Sequence, residues 1–373
     1  MSNAARHLYV HVPFCARRCS YCDFAIAVRR DLPVQHYLDA LGAELSLRLG
    51  AGALEVDTIY LGGGTPSILG SDGVTALLTL LRRYVSDAPN AEVTIEANPE
   101  DVSQNAVRQW RETGITRVSL GVQSFEPRVL EWMHRIHDAE TARSAAGIIA
   151  NAGFASWSLD LIFALPDHLE RDWERDVDQA LALAPPHVSA YGLTVEPHTA
   201  LSKWVARGTI SDTPEERYES EFLLVHERLV DAGLEHYEVS NYGRPGHESR
   251  HNSAYWSKAS YIGVGPSAHS FDGRERRWNA REYQAWAAQA AAGSDPLAGN
   301  EVLTAEQRFL EDLYLGLRSS SGLDVDQVQP EIVEKWREQG WAQAERSRVR
   351  LTPQGWLRLD ALVSALTAHS NHC

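Results

Sequence analysis

Short apolar runs alternate with helical periodicities through the first two thirds of the chain. The runs Leu8–Val12, Thr58–Leu61, Val93–Ala97, Arg117–Val122, Ser158–Phe163 and His187–Leu193 have the length and bounding residues of six strands. Between them, Val34–Leu49, Gly73–Tyr84, Val102–Thr113, Glu140–Ala152 and Trp173–Leu183 predict helices. Strands that alternate with helices pair in parallel through right-handed crossovers, so the expected fold class is α/β. Periodicity leaves two forms open, an incomplete barrel and a doubly wound sheet. In both, ligands gather at the carboxyl ends of the strands. A cysteine run follows the first strand, Gly62–Pro66 the second, Glu96 lies near the end of the third and Gln123 follows the fourth. That agreement predicts one shared site.

Beyond about Tyr242 the pattern changes. Residues 243–280, rich in Gly, Ser, His and aromatic side chains, predict a connecting segment between a strand–helix unit over 1–242 and a smaller unit over 281–373. In the last unit Arg281–Ala291, Ala305–Leu317 and Gln327–Gln339 predict helices. A short strand at Val349–Pro353 before a helix at Gln354–Leu366 predicts a winged-helix-like ending.

At 373 residues the chain has room for two domains, or for one barrel with an appendage. Acidic residues outnumber basic ones 50 to 35, a formal charge of -15. Recognition of a nucleic-acid backbone needs concentrated Lys and Arg, so nucleic acid is not an expected partner. No apolar run reaches the length of a signal peptide or a membrane span, and the expected location is cytoplasmic.

The candidate chemistry begins at Cys15, Cys19 and Cys22, three of only four cysteines, spaced four and three residues apart. Thiolates on one short loop can converge on zinc, copper(I) or an iron–sulfur cluster. Zinc sites usually close with a fourth nearby Cys or His, and none is obvious here. A 4Fe-4S cluster held by three cysteines leaves one iron open to a small-molecule ligand. Gly62-Gly63-Gly64-Thr65-Pro66 removes side chains that would keep a ligand from the backbone, although glycines alone also serve a tight strand–helix turn. Glu96 and Asp160 are carboxylates inside apolar strands and each needs a donor, for which Arg117 is one structural candidate for Glu96. Gln123 and Arg135 extend the polar set. A second motif, His251-Asn252-Ser253-Ala254-Tyr255-Trp256, sets an imidazole beside aromatic rings that can pack on a flat macrocycle; isolated histidines are more often core residues. The terminal group His369, His372 and Cys373 is expected to be solvated tail.

The cysteine triad with Tyr21, the glycine run, Gly-Val-Gln-Ser-Phe at 121–125, Leu-Asp-Leu-Ile at 159–162, the His251 motif and Gly263-Val264-Gly265 upstream of Ala268-His269-Ser270 together resemble the HemW-type haem chaperones of the radical S-adenosylmethionine superfamily. These are relatives of the oxygen-independent coproporphyrinogen III oxidase. The resemblance spans nearly the whole chain. It implies a partial six-stranded (β/α) barrel with a smaller, mainly helical C-terminal domain. It also implies a 4Fe-4S cluster on Cys15, Cys19 and Cys22, and haem as cargo bound through the His251 motif. Tyr9, Tyr21, Gly63, Gly64, Thr65, Glu96, Gln123, Arg135, Asp160 and Gly192 match positions that contact S-adenosylmethionine in the related oxidase. The implied partners are acceptor haem proteins, including respiratory ones, with transient membrane-protein contact, and the implied assembly is a monomer or a cluster-dependent dimer.

Two departures separate chaperone from oxidase. The oxidase loop carries a further cysteine two residues after the third ligand, where this chain has Phe24; and the oxidase has a longer segment before its cluster loop, where fourteen residues precede Cys15. Haem delivery is therefore the expected function. The alternative is oxidative decarboxylation of coproporphyrinogen III through a deoxyadenosyl radical.

Overall fold

The computed structural model describes residues 5–50, 54–345 and 347–370. At its centre the six expected strands, His7–Val12, Leu54–Gly63, Val85–Ala97, Arg117–Gln123, Ser156–Phe163 and His187–Gly192, pair in parallel in chain order. Helices Val34–Leu49, Gly70–Leu81, Gln104–Glu112, Ala139–Asn151 and Trp173–Ala182 lie in the crossovers between them. Leu8, Val10, Ile59, Leu61, Val93, Ile95, Val118, Leu120, Leu159 and Val188 are buried in one continuous core. Each such side chain contributes about 1.5–3 kcal/mol through burial. The third strand begins at Val85, ahead of its apolar run, because Ser86, Asp87, Pro89 and Asn90 are exposed and carry no hydrophobic signal.

The sheet continues past the six strands at both edges, to twelve strands among the described residues. Tyr261–Val264 pairs in parallel with the first strand, and His269–Phe271, Glu275–Asn279 and Leu297–Val302 follow it antiparallel. At the other edge Asn241–Gly243 and Glu235–Glu238 are antiparallel. The segment 243–280, expected to be a connector, is thus built into the sheet. Its tight return depends on Gly263, where a Cβ would collide with the His269 carbonyl oxygen.

Glu44 fastens this extension to the barrel. It is fully buried on helix Val34–Leu49 and accepts hydrogen bonds from Gly265 N (2.9 Å), Asn279 Nδ2 (2.6 Å) and Trp286 Nε1 (2.8 Å), with Arg48 at 3.1 Å. A buried carboxylate is tolerated here because donors from three later segments surround it.

The C-terminal unit is mainly helical. Helices Ala305–Arg318 and Pro330–Glu338 accompany a three-stranded sheet of Leu323–Asp324, Arg348–Leu351 and Ala342–Glu345. The helix expected over Gln354–Leu366 is two, Pro353–Trp356 and Leu359–Ser370. His372, Cys373 and the side chain of His369 lie outside the described residues. Among the described residues no helix is long and apolar enough to cross a membrane.

Candidate functional site

The cysteine loop leaves the first strand at Pro13 and is closed at its base, where Ala27 N donates to Pro13 O and Phe14–Cys15 pairs with Ala27–Val28. Further along, Ser20 N donates to Met133 O and Leu201 N to Ser20 O. Tyr21 packs against a small cluster of Val129, Met133, Ile162, Leu165 and Leu169. These anchors fix the loop above the strand ends. The glycine turn lies against it: Gly64 N donates to Val12 O and Thr65 N to Phe14 O, both at 2.8 Å. A Cβ on Gly64 would sit 2.5 Å from Phe14 O, so only glycine permits this approach.

Cys15, Cys19, Cys22, Tyr21, Gly63, Gly64, Thr65, Glu96, Gln123, Arg135, Asp160 and Gly192 line one cavity of about 430 Å³ at the carboxyl ends of the strands. Cys15 Sγ lies 3.5 Å from Thr65 Oγ1, and Arg135 Nη1 lies 3.6 Å from Cys19 Sγ. Arg135 also donates to Asn98 Oδ1 (2.7 Å) and Gly121 O (2.8 Å), while its buried Nε has no partner among the described residues. Glu96 accepts from Tyr60 Oη (2.8 Å) and Gly63 N (3.1 Å) rather than from Arg117. Arg117 bonds Ser156 and the His247 carbonyl instead. Burial pushes Glu96 up to about 7, with the charge of Asp160 adding to it against those two hydrogen bonds. Asp160 is raised by burial as well, although Ser119 and Ser158 donate to it.

Two of the expected residues stand outside this cavity. Tyr9 turns its hydroxyl to His11 Nδ1 (3.1 Å) and lines a neighbouring cleft; its ring stacks on Tyr60 at 6.1 Å. His251 is fully buried behind that cleft. Its Nδ1 is 2.6 Å from Thr58 Oγ1, its Nε2 is 2.9 Å from Tyr255 Oη, and its ring stacks on Tyr60 at 5.0 Å. Burial lowers it to about 3, so the ring is neutral.

The model of the radical SAM superfamily matches residues 9–180. The haem chaperone HemW of Mycobacterium tuberculosis (strain H37Rv) is 40% identical over 96% of this chain and 94% of its own. That of Bacillus subtilis (strain 168) is 32% identical over 94% and 96%. The chain belongs to the HemW haem chaperone family. In structure it is similar to the coproporphyrinogen III oxidase HemN of Escherichia coli, a radical SAM enzyme, with TM-score 0.80 and 22% identity over 97% of this chain and 90% of that one.

The cavity suits the cofactors of such a radical SAM fold. Its sulfurs, glycine backbone, free Arg135 Nε and paired carboxylates offer soft ligands, a close approach, an anion donor and cation acceptors. Among the described residues no three Cys, His, Asp or Glu side chains converge on a single ion. A cluster that takes one thiolate on each of three irons does not require them to meet at a point. Burial pushes Cys15 up to about 12 and Cys22 to about 11. Several cavity residues went unnoticed in the sequence: Tyr60, Ser119, Tyr191 and Glu196. Strand alternation could have flagged Tyr60 and Ser119, which sit two or three residues from a recognised motif. Phe24 lines the cavity too and is 61% exposed.

Proposed function

We propose that this protein binds haem and passes it to acceptor haem proteins, respiratory ones among them. The observation that carries the reading is the aromatic cleft that helix Arg250–Trp256 builds beside the cysteine cavity, in a chain 40% identical to a named haem chaperone. In this reading Cys15, Cys19 and Cys22 hold a 4Fe-4S cluster, which supplies a redox centre with one iron open to S-adenosylmethionine. Gly63, Gly64 and Thr65 present backbone to the cofactor, Arg135 donates to its carboxylate, and Glu96 and Asp160 accept its polar groups. Tyr21, Gln123 and Gly192 complete the wall, and Tyr9 supports it through Tyr60. His251 belongs to the haem site, where it holds the Tyr255 hydroxyl. Cytoplasmic location, transient membrane-protein contact and a monomer or cluster-dependent dimer are part of the same proposal.

Haem added to the purified protein is expected to give a stoichiometric Soret band that weakens in His251→Ala, followed by transfer to an apo haem protein. Absence of the band defeats the reading. Formation of protoporphyrinogen from coproporphyrinogen III, under anaerobic conditions with S-adenosylmethionine and a reductant, replaces it with the oxidase.

A further inference from the structure

The cleft beside the cysteine cavity is lined by residues from segments far apart in the chain. Tyr9 and His11 come from the first strand, Tyr255 and Trp256 from the short helix, Tyr261, His269, Phe271 and Arg276 from the sheet extension, and Glu311 and Leu315 from the C-terminal unit. Its volume is about 380 Å³. That is within the range of small-molecule sites and too small to enclose a whole macrocycle. A flat aromatic ligand would enter by one edge and keep the other accessible for hand-over.

Three imidazoles lie at or behind this cleft, and their nitrogens are not equally available. His11 is engaged on both sides, by Tyr9 Oη at 3.1 Å and by the Ala25 carbonyl at 2.9 Å. His251 is engaged by Thr58 and Tyr255 and has no exposed edge. His269 is exposed, its ring stacks on Trp278 at 5.9 Å, and its side chain has no hydrogen-bond partner among the described residues. An axial ligand to iron needs a lone pair on a neutral ring facing the ligand. Of the three, only His269 both lines the cleft and has no side-chain hydrogen bond to break before it can ligate.

Resting on the haem-carrier reading, we infer that His269 is the residue that coordinates haem iron in this cleft, while His251 positions Tyr255 from behind. One bond forms, from an imidazole nitrogen to ferric iron, and the water or chloride on that iron leaves; no electron is transferred. Lys258 and Arg276 also line the cleft and supply cations for the two haem carboxylates. They are now paired with Asp312 and with Glu301 and Glu311, partly exposed ion pairs that an incoming carboxylate can exchange at little cost.

The test compares ferric haem with iron-free protoporphyrin IX on the full chain and on His269→Ala. The variant is expected to lose the imidazole-ligated Soret position and about tenfold or more in ferric haem affinity. Protoporphyrin IX should bind both proteins alike, and added imidazole should restore the spectrum of the variant. An unchanged spectrum and affinity in His269→Ala overturns the inference, as does an equal loss of haem and protoporphyrin, which marks a role in shape alone. Failure of the unmodified protein to bind haem is a different result: it removes the haem-carrier reading itself, and this inference with it.

Discussion

The cysteine cavity and the aromatic cleft meet where Tyr60 stacks on Tyr9, yet they are assembled in opposite ways. Every strand of the barrel ends at the cavity, so each motif delivers its residues there through its own strand, and the parallel pairing aligns them. The cleft has no such rule. It exists because the sheet extension folds back along the first strand and a C-terminal helix closes over it. Polarity follows construction. The cavity concentrates ionisable groups, three thiols, two raised carboxyls and Arg135, whereas the cleft is walled mainly by rings. Tyr60 joins them, bonding Glu96 on one side and stacking on His251 on the other.

Removing a cluster ligand is the largest test of their independence. Cys15→Ala is expected to abolish the iron–sulfur absorbance after anaerobic reconstitution, while haem titration changes by no more than about twofold, under 0.5 kcal/mol. A parallel loss of haem affinity shows that the two regions act as one.

The next effect runs the other way. Glu44→Ala strips the acceptor from Trp286, Asn279 and Gly265 and leaves Arg48 without its carboxylate. Urea unfolding should register a loss of about 3–5 kcal/mol. Under native conditions the cleft should suffer before the cavity does: haem affinity falls while cluster assembly persists. Equal damage to both means that the extension and the barrel are one cooperative unit.

The smallest effect is a pH dependence confined to the cavity. Folding raises the Glu96 carboxyl from 4.5 to about 7, so the folded protein binds this proton more tightly than the unfolded chain does. The penalty for its charge is absent below pH 4.5, grows as pH rises to about 7 and is constant above. Thermal melts should therefore show Glu96→Gln gaining on the parent protein by roughly 1.4 kcal/mol per pH unit across that window. S-adenosylmethionine affinity should move oppositely, falling as pH drops from 8 to 6 in the parent and staying flat in Glu96→Gln. Haem affinity with the same pH profile would contradict the separation of the two regions.

Much of the cavity was legible because its determinants are local. A triad on one loop, a glycine run directly after a strand and a carboxylate inside an apolar run each carry their meaning within a few residues. Glu96 and Asp160 were recognisable as buried carboxylates in need of donors, yet their partners were not. Tyr60 lies on the adjacent strand, Ser119 reaches Asp160 only through the pairing of two neighbouring strands, and Ser158 does so from two residues back on the same strand. Residues 243–280 misled for a related reason. The strands there are three to five residues long, too short for a clear period, and the pairing of Tyr261–Val264 with the first strand is a contact across some 250 residues.

The amino-acid sequence by itself determined the α/β alternation, the six central strands, the cysteine triad and the membership of most cavity residues. Hydrophobic period and backbone permissiveness are properties of neighbours along the chain. Only the tertiary structure decided which imidazole at the cleft keeps its ring nitrogens unengaged. His251 and His269 each stand in a motif of the sequence, but hydrogen-bond availability depends on what packs against each ring. Thr58 and Tyr255 saturate the first, whereas the second is exposed and its ring only stacks on Trp278.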